Sequence, residues 1–137
     1  MIAILDPKRT YHYPLAADLP VHTLEMIRRE SGILFTSILT VSAKFSRPTL
    51  YPLLLAHAQA VLSRATIAGD CNLSIVQALL IMVHWKAPTD KSAWVKLGIA
   101  IRLSYQLGLH VVRQEPLPVD EMVARKIRAA ERTWFGE

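Results

Sequence analysis

The stretch Ser74-Ile75-Val76-Gln77-Ala78-Leu79-Leu80-Ile81-Met82-Val83-His84-Trp85 is apolar on nearly every side when wound as a helix. A helix lying on a domain surface shows one apolar stripe, whereas one that is apolar all round must be surrounded by other helices. At this length it falls well short of the roughly 20 residues that a membrane span needs. The reading is a central helix of an all-α protein. Ser74 and Gln77 have the spacing of a capping box, in which the serine oxygen accepts a first-turn amide and the glutamine reaches back. Pro88 predicts the end of the helix.

Downstream, Asp90 is the expected N-cap of the next helix. In that helix Trp94, Leu97, Ile101 and Tyr105 form one stripe and Val95, Ile99, Leu103 and Leu107 a second, so two packing partners are expected. Gly98 and Ala100 offer points where another backbone can come close. Gly108 is placed to take the left-handed position that ends the helix, with Leu109 folding back towards Leu103. Pro116 and Pro118 mark a linker. Asp120 then opens a last helix with Val123, Ile127, Ala130 and Trp134 as its inner positions and a Glu121–Arg125 pair at the favourable spacing.

Upstream, Thr23 to Phe45 carries Leu24, Ile27, Leu34, Ile38, Val41 and Phe45 at helical intervals, with a weak point at Ser31-Gly32; it is expected as one interrupted helix. Pro52 suits a first turn. Leu53 to Ile67 follows with Leu54, Leu55, Ala58, Val61, Leu62 and Ala65 on a broad face, ended by Gly69. Pro7, Pro14 and Pro20 predict an extended arm before it. No segment alternates with period two for long. The expected architecture is therefore all-α: a bundle of about five packed helices over residues 22–137, with an irregular N-terminal arm over residues 1–21.

The chain has 137 residues, which suits one domain or one piece of a larger one. With 52% hydrophobic and 20% charged residues, intrinsic disorder and polar tails are excluded. The lone cysteine, Cys71, rules out an internal disulfide and a cysteine-built structural zinc site in this chain. Asp70 beside it and a helix start just after it raise the question of a reactive thiol, against which stands the plainer role of a small residue in a turn.

A net charge of +5 invites a nucleic-acid reading, but Lys and Arg are scattered in ones and twos. Their one concentration, Arg125, Lys126, Arg128 and Arg132, is interleaved with Glu121 and Glu131. Phosphate-binding surfaces want a basic stripe unbroken by acids, so a solvated helix face is favoured. Signatures of catalysis are missing: no Gly-rich phosphate loop, no nucleophile elbow and no His-Glu-x-x-His pair. Neither a catalytic residue, a metal ligand nor a cofactor is assigned. Gln77 and His84, seven apart on the apolar helix, together with His110, are the candidates for lining a small ligand pocket; the competing reading is that each satisfies a neighbouring buried polar group.

From Ser74-Ile-Val-Gln77-Ala-Leu-Leu80, through Trp94-Val-Lys-Leu-Gly98-Ile-Ala-Ile-Arg102 and Leu107-Gly108-Leu109-His110, to Glu131-Arg132-Thr-Trp134-Phe135, the chain resembles a known family. It is similar to the fungal-specific transcription factor domain, the middle homology region of fungal binuclear-zinc-cluster regulators, named for its xylanolytic transcriptional activator members. The similarity runs from about Leu24 to Phe135 and leaves the arm uncovered. It implies a nuclear, all-α regulatory domain lying downstream of a DNA-binding zinc cluster and open to a small-molecule effector. Its partners would be the rest of a larger regulator or the transcription machinery, with DNA reached only indirectly and no membrane involved. In that family zinc belongs to a separate six-cysteine cluster, so with one cysteine neither zinc nor direct DNA contact is assigned here. Two basic residues usually precede the final Thr-Trp where this chain has Glu131-Arg132, and the family's helical domain continues further, so an incomplete part of a larger domain is expected. The signature residues read as structural: Trp94 as an anchor, Gly98 as a close-approach point, and Arg102 as a charge expected to meet a carboxylate or a helix C-terminus. All-round apolar helices in a partial domain predict marginal stability or self-association.

Overall fold

A computed structural model of the chain describes residues 24–135, and six helices carry most of them: α1 (Leu24–Glu30), α2 (Gly32–Ser46), α3 (Tyr51–Ala68), α4 (Leu73–His84), α5 (Ala93–Gln106) and α6 (Glu121–Phe135). No strand occurs among the described residues, and the protein is all-α. The arm expected over residues 1–21 and its boundary lie outside the described residues. Among the described residues no helix is long and apolar enough to cross a membrane.

Six helices replace the expected five because the first segment divides at Ser31. That residue is extended, with φ at −153°, and its hydroxyl accepts the Leu34 N–H at 3.2 Å. One extended residue redirects the axis, and a serine there satisfies an amide that the new helix would leave orphaned. α3 behaves as read: Pro52 sits in its first turn, and Gly69 takes φ 81° at its end. The Asp70 N–H reaches back to the Ala65 carbonyl at 3.0 Å, closing the helix with a left-handed residue that glycine adopts without a Cβ penalty.

Two expected caps are corrected. The N-cap of α4 is Asn72, whose Oδ1 accepts the Ile75 N–H at 3.0 Å, so Ser74 lies inside the first turn and Gln77 plays no part in capping. Asn and Ser cap equally well; the deciding fact is that the chain is extended at Asn72, with φ at −151°. Asp90 likewise precedes α5 by more than a cap. Its Oδ1 accepts the N–H and the hydroxyl of Ser92 at 2.8 and 2.5 Å, and its Oδ2 pairs with Lys96 at 3.0 Å. These bonds, those from Ser92 foremost, hold its carboxyl well below the usual range, down to about 2.

α4 is the centre of the bundle, packed against α5 and α2 and touching α3, while α2 lies along α3 and α1. The core gathers Ile27, Leu34, Ala58, Leu62, Ala65, Ile75, Ala78, Leu79, Met82 and Ala100. Ile75 and Val76 are wholly enclosed, each stabilising the fold by about 1.5–3 kcal/mol relative to exposure. Ala58, Ala65, Ala78 and Ala100 let the helix axes approach closely. Two buried hydroxyls of α2 are satisfied: Ser37 donates to the Ile33 carbonyl at 3.0 Å, and Thr40 to the Thr36 and Leu54 carbonyls at 2.8 and 3.2 Å.

Of the two stripes expected on α5, the second packs in part, with Ile99 and Leu103 half-buried against the core, while most of the first faces outward. Trp94 is 83% exposed, and Val95, Ile101 and Tyr105 also face outward. The buried line is Ala100 and Ser104, flanked by half-buried Leu97, Leu103 and Leu107. Small side chains go inward because α4 is already bulky, and the two helices meet closely only where one of them is thin. α6 shows the same exchange: Ala124 and Ala129 are buried, Ile127, Ala130 and Trp134 are half-buried, and Val123 is exposed.

Candidate functional site

The signature residues of α5 stand on its outer face. Trp94 and Arg102 are exposed, with Gly98 between them. No backbone of another element comes near Gly98. A Cβ there would meet only the Arg102 guanidinium, whose Nη1 lies 3.4 Å from that position. Arg102 makes no ion pair among the described residues, which corrects the expectation of a carboxylate or a helix C-terminus beside it.

Leu107 to His110 ends α5 as expected. Gly108 has φ 71°, its N–H donates to the Tyr105 carbonyl at 3.0 Å, and the Leu109 N–H reaches the Ser104 carbonyl at 3.0 Å. This reversal lays His110 against Tyr105, with ring centroids 4.4 Å apart, and brings Trp134 of α6 edge-on to Tyr105 at 5.4 Å and to His110 at 6.3 Å. Such aromatic contacts are worth about 0.5–1.5 kcal/mol each beyond area.

α6 has few close contacts with the other helices, and what fastens it is specific. Gln77, only 2% exposed, donates from Nε2 to the Thr133 hydroxyl at 3.2 Å, and that hydroxyl donates in turn to the Ala129 carbonyl at 2.7 Å. Arg113 donates from Nε to Glu131 at 3.0 Å and also bonds the Glu115 carbonyl, which ties the 107–120 connection to α6. Gln77, His110 and Trp134, read separately along the sequence, therefore converge on the seat of one helix. Tyr105, Thr133 and Arg113 belong to the same seat and were not singled out as site residues. Their partners lie too far along the chain for local spacing to show.

The structure does not gather Gln77, His84 and His110 into a ligand pocket. Gln77 is enclosed under α6, while His84, two turns and about 10 Å further along α4, is exposed at the helix end beside Trp85. His110 is exposed on the aromatic trio. Two clefts among the described residues lie elsewhere. One of about 280 Å³ between α2, α3 and the α4–α5 connection includes Tyr51, Leu55, Gln59, Met82 and Trp85, with Asp90 at its edge. The other, about 480 Å³, is lined by Val112, Arg113, Arg128, Glu131, Arg132 and Phe135.

Charge on α6 is largely answered in place. Arg125 pairs with Glu121, and Lys126 lies 3.9 Å from Glu30 of α1. No group of three or more His, Cys, Asp or Glu close enough to share a metal ion occurs among the described residues. Cys71 is half-buried in the α3–α4 turn, its thiol directed at the Leu103 carbonyl at 3.7 Å.

A family model described as the fungal specific transcription factor domain matches residues 24–136. Among curated proteins, protein priB of Lentinula edodes is 28% identical over 121 residues, covering 86% of this chain and 19% of priB. SEF1 of Kluyveromyces lactis, named as a candidate transcription factor, is 34% identical over 125 residues, covering 82% of this chain and 11% of SEF1. Its namesake in Eremothecium gossypii is 32% identical over 133 residues, covering 85% of this chain and 12% of that protein. The chain thus spans a fifth or less of the length of these relatives. No solved structure matches it. With six helices in the arrangement described and a family match that takes in nearly every described residue, the chain belongs to the fungal specific transcription factor domain family.

Proposed function

We propose that the chain is a non-catalytic regulatory module of a longer nuclear transcription regulator, acting through the parts of that regulator, or of the transcription machinery, that dock on it. The observation that carries this reading is the family match over residues 24–136, set beside relatives of whose length it covers a fifth or less. The outward face of α5, with Trp94, Val95 and Ile101, is the surface offered to those further parts or to a second copy. A helix turns large apolar residues outward at a cost in water, and contiguous exposure of this kind marks interaction surfaces. The signature residues serve the fold: Gln77, Leu107, Gly108, Leu109, His110 and Trp134 build the seat of α6. DNA is contacted by other parts of the regulator, and the zinc cluster of full-length relatives is not formed by these residues.

The test is a reporter assay in yeast, with the chain fused between a heterologous DNA-binding domain and an independent activation segment. The fusion is expected to change the output of that activator, and Ile75→Asp, which breaks the core, is expected to abolish the change. Unaltered output from a fusion seen by fluorescence to be folded and in the nucleus overturns the reading.

A further inference from the structure

α5 carries a glycine in its middle that no contact among the described residues explains. Gly98 lies in the interior of the helix, where glycine is less favourable than alanine. A Cβ there would meet only the far end of the flexible Arg102 side chain. On the same face stand Trp94 and Val95 before the glycine and Ile101 and Arg102 after it, all four exposed. Arg102 has no ion pair, hydrogen bond or ring contact among the described residues, and α5 contains no acidic residue.

These residues are placed symmetrically about the glycine. Trp94 is four positions before it and Arg102 four after, Val95 three before and Ile101 three after. All four point within about 60° of the direction of Gly98 around the helix. When two identical helices cross antiparallel at that glycine, a two-fold axis brings each position beside the one equally far on the other side. Arg102 of one copy then comes over the Trp94 indole of the other, and Ile101 comes beside Val95, each contact occurring twice. A guanidinium over an indole face is attractive, and tryptophan is the best such partner. The bare backbone at Gly98 lets the two axes approach closely where they cross. Arg102, lying back towards Gly98 in the single chain, has only to turn its exposed end outward. The two Arg102 charges remain about 12 Å apart along the axis, beyond the screening length of about 8 Å at physiological salt. A parallel pairing at the same glycine would instead set Arg102 against Arg102. We propose that the outer face of α5 is the contact between two copies of this chain, paired antiparallel across a two-fold axis at Gly98. The inference rests on the reading of that face as an interaction surface and names its occupant.

The experiment is sedimentation equilibrium of the whole 137-residue chain from about 10 to about 500 μM, a range suited to the weak association that a single helix crossing gives. The mass should rise from one chain towards two and no further. Gly98→Ala should weaken association about tenfold or more, because the methyl groups hold the axes apart, while raising the denaturation midpoint of the dilute monomer, because alanine favours the helix. Trp94→Arg sets arginine against arginine and should abolish the dimer. Adding Arg102→Trp to that variant restores the pair with its sides exchanged and should recover most of the association. A monomer over the whole range, growth beyond two copies, association undiminished by Gly98→Ala, a midpoint lowered by it, or no recovery in the double variant each overturns the proposal. A monomeric chain that still alters the reporter output removes the dimer and leaves the regulatory reading standing.

Discussion

α4 and α5 lie side by side, and each distributes its large residues in the opposite way. α4 keeps Ile75, Val76, Leu79 and Met82 inside, whereas α5 turns Trp94, Val95, Ile101 and Tyr105 outward and buries Ala100 and Ser104. The contrast follows from position in the bundle. α4 has α2, α3 and α5 around it and receives α6 through Gln77, so nearly any direction leads to protein. α5 packs closely on α4 alone, and its fully buried positions there are thin, with Ile99 and Leu103 half-buried beside them. Hydrophobicity gives a side chain a reason to leave water, but a neighbour at the right distance decides whether it can.

The contrast can be broken by substitution, and the largest effect is expected in α4. Ile75→Ala removes a side chain that is 1% exposed and should cost about 2–5 kcal/mol, read as a fall in the denaturation midpoint. A much smaller loss would mean that α4 is not enclosed.

The joint between the two helices comes next. Asp90 fastens it through Ser92 and Lys96, and Asp90→Asn should cost about 1–2 kcal/mol at neutral pH. Folding lowers the Asp90 carboxyl from 3.8 to about 2, so its contribution is complete above the unfolded value. It is lost as pH falls from about 4 through about 2, because protonation removes the charge that the folded state prefers. The stability gap between the parent chain and Asp90→Asn, followed by chemical denaturation across that range, should narrow towards acid. A gap that stays constant would show that the carboxylate charge is irrelevant to the joint.

Smallest is the outer face of α5. Trp94→Ala deletes a far larger side chain than Ile75→Ala, yet should move stability by no more than about 0.5 kcal/mol in the chain studied alone. A loss comparable with that of Ile75→Ala, in a sample shown to be monomeric, would mean that Trp94 is covered within the chain.

Features governed by a few neighbouring residues were legible in the sequence. Pro52 and Gly69 bound α3, Gly108 stops α5 in the left-handed conformation, and Asp120 accepts the Met122 and Val123 amides at the start of α6. Each depends on backbone chemistry within one turn. The weak point at Ser31-Gly32 was visible too, but not that one extended residue there separates two helices. Asn72 and Ser74 both have capping side chains, and only the path of the chain out of α3 chooses between them. The outward stripe of α5 was misread because periodicity reports which residues share a face and not which face meets a neighbour. The seat of α6 was legible only in fragments. Gln77 and Thr133 are 56 residues apart, and nothing in the local pattern of either announces the other.

The fastening of α6 has a thermodynamic consequence. Heat-capacity change and sensitivity to denaturant both scale with the apolar surface that an opening exposes. The buried apolar residues of α6 are Ala124 and Ala129, and its other attachments are an amide–hydroxyl bond, an arginine–glutamate pair and the rings of Tyr105, His110 and Trp134. Releasing this helix therefore changes the heat capacity less, and responds less to urea, than unfolding that exposes α4, while salt loosens its ionic tie. In hydrogen exchange, its amides form a local opening unit separate from the global unfolding that frees those of α4.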